Sequence, residues 1–362
     1  ILGNGPTRIG QGVEFDYCCV QAVLGLQDAG YKTIMYNCNP ETVSTDFDMS
    51  DRLYFEPLTF EHVMNVINFE NPDGVLIQFG GQTPLNIANQ LKAQGVKIIG
   101  TDPQSIDLAE DREKFGNILT KLNIPAPNWG TAYSIDEALE IAQKIKYPVL
   151  VRPSYVLGGR GMEIVYDDND LKTYVAKAAL VSGDHPILID DFLEDAFEFD
   201  VDAICDGKDV YVAGIMQHIE EAGIHSGDSA CVLPAYELSL DDRQTIKDYT
   251  QKLALTLNTI GLINIQFAIQ NHTVSVLEVN PRASRTIPFV SKVKNISLAR
   301  IAAQFAVGKK LKDYKLDEIV NNGLVAVKKP VFPFNKFPNQ SIFLSPEMKS
   351  TGEVIGLDTN LG

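Results

Sequence analysis

The chain has 362 residues, 45% apolar and 22% charged, a composition that supports two or three globular cores and excludes a disordered or collagen-like polymer. Its 31 basic and 47 acidic residues give a formal net charge of −16, which argues against nucleic acid and against an anionic membrane as partners. No stretch is long and apolar enough to span a bilayer, and Cys18, Cys19, Cys38, Cys205 and Cys231 form neither a C-x-x-C pair nor an even disulfide set, so buried free thiols in a reducing cytoplasm are expected.

Residues 1–109 alternate short β-rich runs with helical periods. The end of a strand at Ile1-Leu2 leads to a helix at about 14–29, a strand at 33–36 and, beyond a loop, a helix at about 59–69. A strand at 74–79, a helix at about 84–94 and a strand at 96–99 follow. This alternation predicts βαβ units, hence an α/β, Rossmann-like domain with a parallel sheet covered on both faces. "GNGPTRIGQG" and "QFGGQTP" put glycine turns at strand ends, where ligands gather in such sheets. Gly3, Gly5, Gly10 and Gly12 do not match G-x-G-x-x-G, and no acidic residue ends the second strand, so tight-turn structure is expected there rather than a dinucleotide site.

At about Glu110 the texture changes to a charged helix and a Pro-rich connector, which marks a boundary and opens a second domain, 110–310. Its elements are a helix (about 134–146), strands (148–151 and 162–165) around a Gly-rich turn, a helix (about 168–180) and a strand (186–189). Strands at 198–205 and 210–217 follow, joined at Asp206-Gly207, a type I′ hairpin cue. A helix (about 241–258), a hairpin through 260–280 and a last helix (about 296–307) complete an α+β pattern. Residues 311–362 read as an extension packing on this core. The missing initiator Met and the ending "STGEVIGLDTNLG" read as a segment of a longer polypeptide.

Four stretches carry chemistry. In "VLVRPSYVLGGRGMEIVY", Arg152 ends a strand beside a glycine loop whose backbone can approach an anion; a plain hairpin turn is the alternative. In "ILIDDFLEDAFEFDVDAICDG", Glu198, Asp200 and Asp202 share one strand face, and for Asp200 and Asp202 a solvated face is expected. The "DDFLED" linker can hinge over a purine ring. In "EEAGIHSGDSA", His225 lies in a loop of small residues that suits ligand contact. In "INIQFAIQNHTVSVLEVNPRASR", Glu278 and Asn280 point the same way from one strand, so both can bind a hard cation such as Mg²⁺. A two-residue turn at Asn271-His272 would pair Gln266 with Leu277, whereas a three-residue loop, 271–273, pairs Gln266 with Glu278; the three-residue loop is expected. Arg282 and Arg285 then stand where a transferring phosphoryl group needs positive charge.

These stretches together resemble the ATP-grasp superfamily and, more narrowly, the large subunit of carbamoyl-phosphate synthetases. The resemblance rests on "GPTRIGQGVEFDYCCV", "NCNPETVSTDFDMSDRLYFEP", "QFGGQTPLNIA", "EDREKF", "VRPSYVLGGRGMEIVY", "FDVDAICDG", "HSGDSACVLPAY" and "LEVNPRASRTIPFVSK". It implies a pre-ATP-grasp domain at 1–109, then an ATP-grasp domain of two α+β subdomains at 110–310, with a lid at about 126–192. "RPSYVLGGRGMEIVY" and "GDSACVLPAY" look like the C-terminal half, which phosphorylates carbamate. By the same resemblance Arg112 and Arg152 hold ATP phosphates under a loop containing Gly158 and Gly159, while Asp191 and Leu193 lie by adenine and Glu198 by the ribose. Gly223, Ile224, His225 and Ser226 line the nucleotide pocket. Gln266, Glu278 and Asn280 bind Mg²⁺ or Mn²⁺, Arg282 steadies the acceptor, and Glu198, His218, Glu220 and Ser229 suit K⁺. Asp191 and Gly161 depart from the family's usual His and Ala. Implied partners are carbamate, the N-terminal half and a glutaminase small subunit; a homo-oligomer is left open. A biotin-carboxylase-like ligase and a non-catalytic nucleotide-binding half are the competing readings.

Overall fold

Phe15, Cys18, Cys19, Ala22, Val23 and Leu26 recur at helical spacing and are all buried, which makes α1 (Glu14–Asp28) a core helix. The computed structural model describes residues 1–8, 12–153, 161–182, 186–316, 323–336 and 342–361. Beyond α1, β1 (Ile34–Tyr36) pairs in parallel with β2 (Arg52–Tyr54), a strand the sequence reading leaves as loop. On the other side of β1, Tyr36 N donates to Ile1 O and Leu2 N to Leu76 O, and Val75 meets Ile98 in a single parallel bridge. The expected parallel sheet therefore exists, but the runs at 74–79 and 96–99 contribute bridges rather than full strands.

Helix α2 (Phe60–Glu70) is closed by Asn71 in the left-handed region. The helix expected over 84–94 is split into α3 (Gln82–Leu85) and α4 (Ala88–Ala93), with a tighter Ile87 N to Pro84 O bond at the break. The charged run is likewise two helices, α5 (Pro103–Glu110) and α6 (Arg112–Leu122). Asp111 is extended between them and caps the second by accepting from Lys114 N.

The next unit has β3 (Trp129–Ala132), α7 (Ile135–Ile145), β4 (Val149–Pro153), β5 (Glu163–Val165), α8 (Asp168–Ser182) and β6 (Ile187–Asp191). Its strands form an antiparallel sheet in the order β3-β6-β4-β5. Ala138 and Ala142 of α7 and Leu171 and Val175 of α8 pack on Val149, Val151, Ile187 and Ile189.

The remaining strands are β7 (Phe197–Asp206), β8 (Val210–His218), β9 (Cys231–Leu233), β10 (Ile260–Gln270), β11 (Thr273–Asn280), β12 (Val325–Val331) and β13 (Gly352–Asp358). They make one seven-stranded antiparallel sheet in the order β11-β10-β7-β8-β9-β12-β13. Two of its strands, β12 and β13, belong to the C-terminal stretch that the sequence showed only as an extension. Helix α9 (Leu240–Thr256) covers one face through Ile246, Leu253 and Ala254, which pack with Ala203, Cys205 and Ile265. On the other face α10 (Ile287–Lys294) and α11 (Leu298–Phe305) join α1 over Ile204, Met216 and Leu262. Helix α1 meets α11 so closely at Gly25 that a Cβ there would lie 2.4 Å from Arg300 O. At the β7–β8 turn only Gly207 has positive φ, so the turn is not the type I′ that Asp-Gly suggests.

Candidate functional site

Alternation along the central strands decides what faces the ligand space. On β7 and β10 the odd-numbered residues (Ala203, Cys205, Ile263, Ile265) enter the core under α9, so Asp200, Asp202, Asn264 and Gln266 point the other way. Asp200, Asn264 and Gln266 line a cavity of about 730 Å³ between the seven-stranded and four-stranded sheets, and Asp202 is buried beside it.

Gln266 stands opposite Glu278, and Asn264 opposite Asn280, as expected, but by a different route. The hairpin loop has two residues, Asn271 and His272, both at positive φ, and the extra residue is Leu277, bulged between the Phe267–Val276 and Gln266–Glu278 pairs. The Asn-His pair accepts the left-handed conformations that a tight turn demands, which overturns the expected three-residue loop. Gln266 donates from Nε2 to Ser226 Oγ at 3.2 Å, which leaves its carbonyl oxygen free. Among the described residues the Glu278 carboxylate enters no hydrogen bond or ion pair, and no group of three or more His, Cys, Asp or Glu forms a ready metal cage. One carboxylate and two amides suit Mg²⁺ that arrives with phosphate oxygens rather than a resident ion.

Positive charge surrounds this set. Asp190, on β6, accepts from Arg112 Nη2 with one oxygen and faces Arg152 Nε at 3.0 Å with the other. Arg112 Nη1 also donates to Leu277 O at 3.1 Å, so the bulge itself seats an arginine. Arg282 lines the cavity beside Glu278 and Glu110, and burial pulls its guanidinium below the usual range. Arg285 also borders the cavity, but its guanidinium is tied to the fold. Its Nη2 meets Glu14 at 2.9 Å and its Nη1 meets Ser350 Oγ and Met348 Sδ, each at 2.8 Å. Both arms thus bind the fold, because α1 and the C-terminal segment converge on it, whereas Arg282 donates from Nη1 to the adjacent Ala283 carbonyl at 3.0 Å.

At the other end Leu150, Met162, Leu188 and Phe192 give the cavity an apolar lining beside Asp191, Leu193 and Glu198. Gly223 has φ +93°, its N–H donates to Glu198 Oε1 at 3.0 Å, and a Cβ on it would sit 2.6 Å from the Phe192 ring. Ile224, His225 and Ser226 continue this wall. Burial lowers His225, and its Nδ1 accepts from Gly227 N at 3.0 Å. Burial raises the Asp191 carboxyl. Thus the structure gathers every expected nucleotide- and Mg²⁺-binding residue that it describes around one space. Gly158 and Gly159, of the glycine loop, lie outside the described residues.

The acidic face of β7 corrects the sequence reading. Asp200 and Asp202 are 1% and 0% exposed, because β8 and β10 flank β7, His218 closes on Asp200, and Ser284 and Thr286 close on Asp202. Burial opposes charge on Asp200, yet His218 Nε2 at 2.8 Å holds it below its ordinary value. His218 Nδ1 lies 3.2 Å from Glu198. Burial works against its charge too, and Cys231, Asp200 and Glu198 outweigh it, raising His218 well above its ordinary value. Asp202 is pushed up to about 6 by burial, while Thr286 Oγ1, Ser284 Oγ and Asn264 Nδ2 hydrogen-bond it. Of the K⁺ candidates, Glu220 accepts from Ala230 N and Ser229 Oγ reaches the Ile224 and His225 carbonyls, so each already has a protein partner. Asp190 and Asp200 are cavity residues missed from sequence; for Asp200 the signal was an acid at every second place of β7, a strand otherwise apolar.

Comparison with known proteins agrees with this geometry. Residues 1–108 match the carbamoyl phosphate synthase preATP-grasp domain, and residues 111–314 the carbamoyl-phosphate synthase L chain, ATP binding domain. The chain is 62% identical, over its whole length, to 34% of the carbamoyl phosphate synthase large chain of Archaeoglobus fulgidus. It is 54% identical to the large chain, C-terminal section, of Aquifex aeolicus, covering all of this chain and 70% of that protein. Among solved structures, the biotin carboxylase domain of Hydrogenobacter thermophilus 2-oxoglutarate carboxylase, in complex with MgADP and bicarbonate, superposes with a TM-score of 0.72 at 18% identity, covering 89% of this chain and 74% of that one. N5-carboxyaminoimidazole ribonucleotide synthetase from Thermus thermophilus gives 0.72 at 14% identity, over 99% and 94%. These two likenesses fix the ATP-grasp fold. The chain spans about a third of the full-length large chains it matches, and it belongs to the carbamoyl phosphate synthase large chain family.

Proposed function

We propose that this chain binds MgATP in the cavity and transfers the γ-phosphoryl group to carbamate. This would be the carbamoyl-phosphate-forming half-reaction of an ATP-dependent carbon–nitrogen ligase that serves arginine and pyrimidine synthesis. The observation that carries the reading is one cavity with an apolar end, an oxygen-donor set at Gln266, Glu278 and Asn280, and arginines on both sides. Relatives named as large chains support carbamate over the biotin-carboxylase alternative, which shares the fold at low identity. The unbroken donor set weighs against a non-catalytic half.

In this reading Arg112 and Arg152, spaced by Asp190, hold the nucleotide phosphates, and Gly223 to Ser226 with Asp191 and Leu193 enclose the base and sugar. Gln266, Glu278 and Asn280 would hold Mg²⁺ or Mn²⁺, which when bound neutralises charge on the phosphates. Arg282 orients the carbamate oxygen for in-line attack, so positioning and charge carry the catalysis. Unit 129–191 acts as the lid that keeps water from carbamate. Potassium is a finer expectation at Glu198, His218, Glu220 and Ser229, where it would have to share oxygens already hydrogen-bonded. The N-terminal half, supplying carbamate, and a glutaminase subunit are the proposed partners. No helix among the described residues can cross a membrane, and the described cysteines are free, which supports a cytoplasmic place. The test is ATP formation from carbamoyl phosphate and MgADP by the purified chain. Metal-dependent ATP formation is expected, and tight MgADP binding without turnover would overturn the proposal.

A further inference from the structure

Lys328, on β12, is 1% exposed, yet among the described residues no carboxylate lies within ion-pair distance of its ammonium. Its one hydrogen bond there runs from Nζ to Ser226 O at 3.2 Å. Burying an ammonium is costly and a Met of similar length would avoid it; Asp200 and Glu353 feel its charge from beyond ion-pair distance, so the residue is there for its charge and its hydrogen bond rather than for packing alone. Lys328 does not line the cavity. It stands behind the loop whose Ser226 hydroxyl accepts from Gln266 Nε2.

We infer that Lys328 is a positioning residue for the metal-binding strand ends, acting through Ser226 and Gln266. By pinning the Ser226 carbonyl it fixes the hydroxyl, and the hydroxyl takes the Gln266 amide nitrogen, so the Gln266 carbonyl oxygen turns toward Glu278. An amide free to rotate would present NH₂ to a cation half the time. The neighbouring ties act the same way: Asp228 accepts from Lys349 N and Ser350 N, and His225 N donates to Ser345 O. Through these contacts the C-terminal stretch, which holds no proposed ligand of its own, sets the loop at 223–229.

This inference rests on the proposed metal set, and its test separates the two. Mn²⁺ binding to the whole chain with ADP, read by electron paramagnetic resonance, is compared with ADP binding without metal. In Lys328→Met the Mn²⁺ dissociation constant should rise about tenfold with metal-free ADP binding unchanged, and Lys328→Arg should recover part of it. Ser226→Ala, read on the Mn²⁺ dissociation constant alone because Ser226 also borders the nucleotide pocket, should give the same rise, with the double variant no worse than either, since both act on one chain of contacts. If Lys328→Met does not fold, Lys328→Gln and Lys328→Arg carry the test, with the same two readouts. Unchanged Mn²⁺ affinity in a folded variant, or additive losses, would overturn the role of Lys328 alone. Failure of the unmodified chain to bind Mn²⁺ with ADP would instead overturn the metal set, and this inference with it.

Discussion

Gln266 and Glu278 face each other across β10 and β11 because Leu277 is bulged out of the ladder. Val274 and Val276 lie in the core under α9, so an unbroken alternation would have sent Glu278 and Asn280 there too. The bulge reverses the parity of the strand end. It turns two polar residues into the cavity and spends the freed Leu277 carbonyl on Arg112.

Glu278→Gln keeps the shape and removes the charge. Because the carboxylate has no protein partner among the described residues, melting should shift little, by about 0.5 kcal/mol or less. ATP formation from carbamoyl phosphate should fall about 10²-fold or more, as for loss of a preorganised charge-stabilising group. A variant that keeps more than a tenth of the rate would remove Glu278 from the site.

The sequence shows this site only in part, for physical reasons. Strand-end chemistry was legible because Glu and Asn at alternate places of an apolar strand are costly without a ligand. The bulge was not, since two hairpin solutions give the same Gln266–Glu278 pair and only backbone geometry separates them. Asp200 and Asp202 were misjudged because period two cannot tell a solvated face from one closed over by His218, Ser284 and Thr286. Strands β3 and β9 are too short to show a period, and β12 joins β9 across a sequence separation that no local pattern reports.

Asp190→Asn tests the arginine fork. The variant keeps the side-chain shape but leaves Arg112 and Arg152 without the carboxylate that sets their spacing. We expect the KM for ADP to rise about tenfold, about 1.4 kcal/mol of binding, with a smaller change in kcat. Steady-state kinetics separates the two, and an unaltered KM would show that the arginines hold their places without Asp190.

Gly223→Ala tests the nucleotide wall. At φ +93° an L side chain is strained, and the new methyl would press on Phe192. The backbone term alone is about 1–2 kcal/mol, and displacement of Phe192 should weaken ADP binding further. Titration calorimetry should find weaker ADP binding with Mn²⁺ affinity for the loaded site unchanged. Equal binding to the parent would mean the 223–226 wall does not touch nucleotide.

His218 gives the pH signature. Its folded value is raised above its unfolded one, near 6.5, so its stabilisation is complete below that pH and is lost as pH rises through the folded value. Asp200 has the opposite sign. Its folded value is lowered, so its share is present above about 3.8 and lost as pH falls through the folded value. The pair is therefore intact at neutral pH and fails toward alkali from the histidine side. His218→Gln leaves Asp200 buried without its cation, at a cost of about 3–5 kcal/mol at neutral pH. That deficit should shrink in acid, where Asp200 can protonate, and also in alkali, where the parent loses its own charge. Urea midpoints between pH 4 and 10 should thus converge at both ends. Curves that stay parallel across that range would mean His218 is neutral in the fold and its contacts to Glu198 and Asp200 are ordinary hydrogen bonds.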